Sequence, residues 1–355
     1  MTYPRVEINL SLIRENANYI VDLCERFGIE VMGITKGVCA IEPVVRTIIE
    51  GGVKKLGDSR IKNIKNMKGY GIDLPIYLIR IPMPSEVDEV VNWADGSFNS
   101  EIEVIDLLSK RAVSYGKLHK VILMVDVGDL REGVMPEDVL KVVGQILEMP
   151  GIEFEGIGTN VGCYGGVLPT IENTSILVEI AKDIEKRYGI EVKTISGGNT
   201  ATLKLVENGE LPTRVNQLRV GEAILLGADS TNFRKVPGTF QDTVILKTQI
   251  IEVKIKPSKP IGEIGRDAFG NIPFFEDKGS MKRAIAALGK QDCRIEGLIP
   301  LDDSIKILGA SSDHLILDVT DSMEEIKVGS VVDFKMTYGA MLGLMTSPYV
   351  EKVTV

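Results

Sequence analysis

Short apolar runs alternate with amphipathic stretches through the first two thirds of the chain. The run Glu30-Val-Met-Gly-Ile-Thr-Lys36 is apolar, is flanked by polar residues and ends on a lysine, which predicts a buried strand. Before it, Leu12, Ile13, Ala17, Ile20, Val21 and Leu23 follow helical spacing and stop at Gly28, predicting a helix over 11–28. The same order recurs. Strands are predicted over 31–36, 53–58, 75–80, 96–100, 120–128, 152–160, 192–197 and 217–227, with helices such as 41–51, 84–94, 101–115, 136–148 and 174–188 between them. Eight βα units joined by right-handed crossovers predict an α/β fold, a closed (β/α)8 TIM-like barrel. The runs 53–58 and 96–100 are the weakest of the set.

After Gly227 the pattern changes. Residues 229–242 carry Asp229, Ser230, Asn232, Pro237 and Gly238 and read as a linker. Strand-like runs then follow at 244–256, 284–288, 305–308, 315–319, 331–337 and 349–355, with no long helical pattern. They predict a C-terminal mostly-β domain over 243–355, interrupted by a glycine-rich loop at 262–279. The barrel domain is assigned to 1–228, and the alternating stretch Arg5–Leu10 is expected to pair with the β domain.

Composition narrows the functional classes. A length of 355 residues and a net charge of −9 fit a two-domain globular protein and exclude a general nucleic-acid or anionic-membrane surface. The basic stretch Lys54–Lys68 follows helical spacing and reads as a solvated helix face. No leader-like apolar core opens the chain and no apolar run is long enough for a membrane span, so no membrane association is expected. Cys24, Cys39, Cys163 and Cys293 are widely spaced, and with His119 and His314 as the two histidines no metal cluster can be written. A reducing cytoplasm is the expected setting.

A barrel of this kind carries its chemistry at the C-terminal ends of its strands. Those ends supply Lys36, Asp58-Ser-Arg60, Arg80, Asn99-Ser-Glu101, Asp126 to Arg131, Thr159-Asn160, Ser196-Gly-Gly-Asn-Thr200 and Arg219-Val-Gly-Glu222. A desolvated lysine loses its proton and becomes a nucleophile. Ser196-Gly197-Gly198-Asn199-Thr200, opening a helix, offers hydroxyls and bare backbone N–H groups to an anion, and Gly221 adds a second close approach. A phosphate site after strands seven and eight, facing a lysine on strand one, points to pyridoxal 5'-phosphate.

Several longer segments now carry a resemblance: Arg80-Ile-Pro-Met, Met124-Val-Asp-Val-Gly-Asp-Leu-Arg-Glu-Gly133, Ser196-Gly-Gly-Asn199, Leu218-Arg-Val-Gly-Glu222, Pro260-Ile-Gly-Glu-Ile-Gly265, Asp267-Ala-Phe-Gly-Asn271 and Leu308-Gly-Ala-Ser-Ser-Asp-His314. Over nearly its whole length the chain resembles the fold-type III pyridoxal-phosphate enzymes of the alanine racemase family, within it the ornithine racemase branch. The resemblance implies that Lys36 forms the imine with the cofactor. Ser196 and Gly197, Gly221 and Glu222, with Tyr338, would stand near the phosphate, and Asn160 near the cofactor. It places Arg131 beside the cofactor's phenolic oxygen and the substrate carboxylate, and Arg219 against the pyridine nitrogen, which a permanent guanidinium keeps unprotonated.

The implied activity is an amino-acid racemase acting by two bases on ornithine or a related basic amino acid, in a homodimer with shared active sites. Lysine, alanine and serine are the alternative substrates, and a pyridoxal-phosphate carrier without turnover is the alternative class, which the β domain argues against. Lys36 serves one face of the substrate. The family's second base is a tyrosine, and Lys290 stands at its position, so Lys290, Asp313 and His314 are the candidates here. Two further family positions differ, Ala40 for a phosphate-binding tyrosine and Met124 for a carbamylated lysine. A carboxylate to read the distal amine is sought among Glu222, Asp267 and Asp313.

Overall fold

Eight parallel strands close on themselves in the computed structural model, which describes residues 2–355. The chain divides into two units, one spanning Leu10–Phe240, the other Gln241–Val355 with the residues up to Asn9. After β1 (Arg5–Ile8), the first unit runs α1 (Leu10–Glu25), β2 (Glu30–Ile34), α2 (Glu42–Glu50), β3 (Lys55–Asp58), α3 (Ile61–Gly69), β4 (Ile76–Leu78), α4 (Val87–Trp93) and β5 (Gly96–Asn99). It continues through α5 (Ile102–Ser114), β6 (His119–Met124), α6 (Val139–Leu147), β7 (Ile152–Gly158), α7 (Ile171–Tyr188), β8 (Thr194–Ser196), α8 (Leu203–Glu207), β9 (Gln217–Val220) and α9 (Glu222–Leu226). β9 pairs back onto β2, with Arg219 beside Met32 and Val220 beside Gly33, and this closes the ring.

In a closed parallel sheet every second side chain points inward. Met32, Ile34, Tyr77, Phe98, Ile122 and Met124 pack together as one cluster inside the barrel. Val121, Leu123 and Ile157 belong to a second cluster with Ile105, Val143 and Leu177 of the surrounding helices. Tyr77 and Phe98 meet edge to face with centroids 6.4 Å apart, an arrangement that adds about 1 kcal/mol to the gain from burial. The two weakest predicted strands owe their poor pattern to glycines that this interior requires. A Cβ on Gly57 would lie 2.8 Å from Ile34, Ile79 and Met32, and one on Gly96 would lie 2.5 Å from the Tyr77 ring.

Two expectations are corrected in this unit. The strand predicted over 217–227 stops at Val220, because the chain turns at Gly221 into a helix that Gly227 ends at φ 60°. Residues 229–242 are not a free linker. Ala228–Asp229 (β10) pairs with Arg234–Lys235 (β11), and Arg234 bridges Asp229 at 3.0 Å and Glu207 at 2.5 Å. Asn16 then clasps Phe240, donating to its carbonyl at 2.9 Å and accepting its N–H at 2.7 Å. These bonds give the segment's backbone and charges partners on the barrel, which extends that unit to residue 240.

The second unit is an antiparallel sheet ordered β14 (Leu298–Pro300), β17 (Val331–Met336), β12 (Val244–Pro257), β13 (Ser280–Ala286), β16 (Leu315–Asp318) and β15 (Lys306–Ala310). β1 lies antiparallel to β12 and parallel to β18 (Glu351–Thr354). Val244, Leu246, Thr248 and Ile250 alternate into its core with Ala284, Leu317 and Phe334. A helix, α10 (Tyr338–Thr346), had no counterpart in the sequence pattern. Its run Tyr-Gly-Ala-Met-Leu-Gly-Leu-Met-Thr is apolar on every side, so it has no 3.6-residue period to read. Its glycines are packing requirements: a Cβ on Gly343 would sit 2.8 Å from Cys293 Cα. In the glycine-rich loop after β12, Ile261, Ile272 and Phe274 are 92%, 71% and 91% exposed.

Candidate active site

β2 ends at Ile34, whose side chain faces the barrel interior. Thr35 donates its hydroxyl to Asp58 Oδ2 at 2.7 Å, and Lys36 opens a single tight turn, Lys36–Val38. Cys39 and Ala40 close that turn at φ 51°, the left-handed region, which costs a non-glycine residue about 1 kcal/mol or more. The N–H of Ala40 returns to Thr35 O at 3.2 Å and that of Cys39 to Lys36 O at 3.3 Å, so the turn is locked around the lysine. Burial lowers the basicity of the Lys36 amine; Cys163 and Asp58 oppose that shift, while Arg131 and Arg219 add to it. A deprotonated amine is the nucleophilic and proton-accepting form of lysine.

Arg219, on β9, is buried and splayed across its neighbours. Its Nη1 donates to Ser196 Oγ at 2.6 Å and its Nη2 to Thr159 O at 2.5 Å, with Asn160 Oδ1 at 3.5 Å. The guanidinium lies 4.8 Å over the Phe98 ring. Burial brings its pKa down to about 10, Glu132 opposing and Arg131 assisting, so it stays charged at neutral pH. Gly158 leaves the room: a Cβ there would stand 3.0 Å from Ser196 Cβ and 3.4 Å from Arg219 Nη1. Ser196, expected at an anion site, is fully buried with its oxygen accepting from Arg219.

The bare backbone lies just beyond. Arg219 N donates to Gly198 O at 2.9 Å and Ala223 N to Thr200 Oγ1 at 3.3 Å, so the turns after β8 and β9 run side by side. Gly198 sits at φ 119°. A Cβ on Gly197 would strike Val215 at 2.4 Å, and one on Gly221 would press Ile34 at 3.1 Å. Glu222 contributes its backbone at the start of α9, while its carboxyl, whose pKa burial raises, is engaged by the Ser230 hydroxyl and N–H.

Two residues at this mouth escaped the sequence reading. Cys163 accepts from Asn160 Nδ2 at 3.0 Å and from Asn199 Nδ2 at 3.7 Å. Cys163 lies three residues past Asn160, beyond the end of β7. Glu132 pairs with Arg131 along one guanidinium edge, through Nε and Nη2. Its adjacency to an expected site arginine was the available signal.

Lys290, Asp313, His314 and Tyr338 all lie on the β unit. The first three share neighbouring loops: Lys290 N donates to Ser311 O at 2.9 Å, and Gln291 N to Ser312 O at 3.1 Å. Lys290 Nζ lies 4.2 Å over the Phe269 ring, Asp313 accepts from Ser312 Oγ at 2.5 Å, and His314 Nδ1 is 3.5 Å from Ser311 Oγ. Tyr338 begins α10. Asp267 is not a free carboxylate, since its Oδ1 accepts the N–H groups of Phe269 at 2.9 Å and Asn271 at 2.8 Å.

The sequence profile described as alanine racemase, N-terminal domain, matches residues 8–229, well over half of the chain. The chain belongs to the alanine racemase family. It is 45% identical over 351 residues to an ornithine racemase of Acetoanaerobium sticklandii, covering 99% of each chain. To a lysine racemase of Thermotoga maritima it is 46% identical over 353 residues, again covering 99% of each. Among solved structures, an alanine racemase of Clostridium difficile 630 superposes with a TM-score of 0.74 at 20% identity, over 100% of this chain and 96% of that one. As a member of this family, the chain is an amino-acid racemase. No helix among the described residues is long and apolar enough to cross a membrane.

Proposed function

We propose that the chain racemises ornithine, using pyridoxal 5'-phosphate held in the barrel mouth and a homodimer to complete the site. The observation that carries this reading is a lysine amine of lowered basicity in a locked turn, set with two guanidinium groups beside glycine turns. The residues fit the cofactor. Lys36 supplies the amine for its aldehyde, the backbone at Gly197, Gly221 and Glu222 suits its phosphate, and Arg219 suits an unprotonated ring nitrogen. When bound, pyridoxal phosphate supplies an electron sink for the charge left at the substrate Cα.

The chain's own groups do the rest. Arg131 takes the substrate carboxylate as a two-pronged donor. Lys36, whose basicity burial lowers, accepts the Cα proton on one face and returns it in the reverse direction. Lys290, Asp313 and His314 are the candidates for the opposite face. Asp313, exposed with Ser312 as its partner, is the candidate for the distal ammonium, since Glu222 and Asp267 are engaged elsewhere. Exposed Leu130, Tyr164 and Phe233 on the barrel unit, and Ile261, Ile272 and Phe274 on the β unit, give each unit an apolar surface for a second copy to cover. None of the four cysteines forms a disulfide, which suits a reducing cytoplasm.

Chiral chromatography after incubation with L-ornithine, L-lysine or L-alanine tests the substrate. D-ornithine formed fastest supports the proposal. D-lysine formed faster transfers it to lysine, and D-alanine alone rejects a basic substrate. For the second base, deuterium exchange from each enantiomer in Lys290→Ala, Asp313→Ala and His314→Ala variants should be lost from one enantiomer alone in the true partner's variant.

A further inference from the structure

We infer that Glu132 is a positioning residue, holding the Arg131 guanidinium in place for the substrate carboxylate and separating the positive charges at the barrel mouth. The inference rests on the reading that Arg131 meets that carboxylate.

The loop that carries this pair is closed and stiff. Val125 and Val134 bridge its base, with Asp126 N donating to Val134 O at 3.0 Å and Val134 N to Met124 O at 2.8 Å. Asp126 Oδ1 accepts the N–H groups of Gly128 at 2.8 Å and Leu130 at 3.2 Å. Asp129 reaches across to the N–H groups of Tyr164 at 3.1 Å and Val167 at 3.3 Å. Leu130 turns left-handed at φ 53°, and at Gly133, φ 150°, a Cβ would lie 2.3 Å from Asp126 N. Both aspartates are therefore spent on backbone, and Glu132 is the carboxylate of this loop that meets a side chain.

That meeting is two-pronged, Arg131 Nε to one oxygen and Nη2 to the other. A fork-to-fork pair holds the guanidinium plane and leaves its remaining N–H groups for an incoming carboxylate. The pair is half-shielded, with Glu132 19% and Arg131 38% exposed. Glu132 also acts on the second guanidinium: of the charges around Arg219 it has the largest influence, favouring the charged form, while Arg131 works against it. Arg131, Arg219 and Lys36 all bear on one another, with Cys163 and Asp58 the other ionisable groups near the lysine. Three cations at one opening repel, and Glu132 is the anion that meets two of them, Arg131 by direct pairing and Arg219 through space.

The test uses Glu132→Gln and Glu132→Asp, alone and with Arg131→Ala, in the full chain. With cofactor bound, Glu132→Gln should raise KM for the diamino acid about tenfold while kcat moves less than about threefold. Glu132→Asp should recover part of that loss. In the Arg131→Ala background Glu132→Gln should add less than about twofold, because its effect passes through the arginine. A second readout needs no turnover. In protein freed of cofactor, the pH midpoint for borohydride-trapped capture of pyridoxal phosphate at Lys36 should fall by about half a unit in Glu132→Gln, since the Arg131 charge is then uncompensated. An unchanged KM with an unchanged midpoint overturns the inference, as does a KM rise of equal size in the Arg131→Ala background. If no diamino acid is racemised, the functional reading fails, while the capture midpoint still decides whether Glu132 offsets the charge at the mouth.

Discussion

The two ends of the barrel are both charged, and they balance that charge in opposite ways. At the N-terminal ends of the strands, Lys55 bridges Glu30 at 3.0 Å and Glu155 at 3.5 Å. Tyr77 donates to Glu155 at 2.6 Å, Gln217 to Glu30 at 3.1 Å, and Thr194 to Glu155 at 3.4 Å. One cation there faces two carboxylates, and every charge has partners within the chain. At the other end Lys36, Arg131 and Arg219 face Glu132 and Asp58, and the Asp58 carboxyl is itself raised in pKa by burial. The floor is thus one closed charge network, whereas around Lys36 three cations gather against two carboxylates. A closed network leaves no charge to offer a ligand, whereas clustered cations favour anions from outside.

Substitutions at the two ends should separate these roles. Lys36→Ala should lower racemisation by about a thousandfold or more and abolish the cofactor's absorbance band, with the thermal midpoint little changed. A variant that kept its activity would remove the mouth's central residue from the chemistry. Lys55→Met should do the converse, leaving two carboxylates facing each other at a loss of about 4 kcal/mol in urea unfolding, with kcat per folded molecule unchanged. His119, on the first residue of β6, is buried against Ser97 Oγ at 2.8 Å, and burial lowers its pKa from 6.5 to about 4. Below pH 6.5 the unfolded chain binds a proton that the folded chain refuses, so stability falls as pH drops from about 6.5 to about 4 and levels off below that. The loss is about 3 kcal/mol, and His119→Gln should flatten it in unfolding curves taken across that range. The smallest effect is expected on the outer face of α3, where Lys65 pairs with Glu89 at 2.9 Å in solvent. Lys65→Ala should change stability by less than about 0.5 kcal/mol.

The barrel was legible because its signal is local and repeated: apolar run, turn, amphipathic helix. The weak strands, the missed helix α10 and the supposed linker share a different cause. Gly57, Gly96 and Gly343 are set by atoms that arrive from distant parts of the sequence, and Phe240 is held by Asn16. Propensity cannot register such partners. The site divides along the same line. Lys36, Arg219 and the glycine turns sit at strand ends and could be found by position, whereas Cys163 lies past the strand end on a returning loop. Ser196 was expected at an anion site, but its alternation into the barrel, which hands its oxygen to Arg219, becomes visible once the ring is closed.

The pairing of β1 also has a consequence for how the molecule is made. Arg5–Ile8 leaves the ribosome before either partner, Val244–Lys247 or Glu351–Thr354, has been translated. At typical synthesis rates that wait lasts roughly 10–50 s for the first partner and roughly 20–70 s for the second. The barrel strands, all complete by Val220, can associate during that interval while β1 still has an open edge. An unpaired strand of this kind is a site where nascent chains aggregate or engage chaperones, and β1 carries Arg5 and Glu7, charged residues of the type that disfavours edge-to-edge pairing.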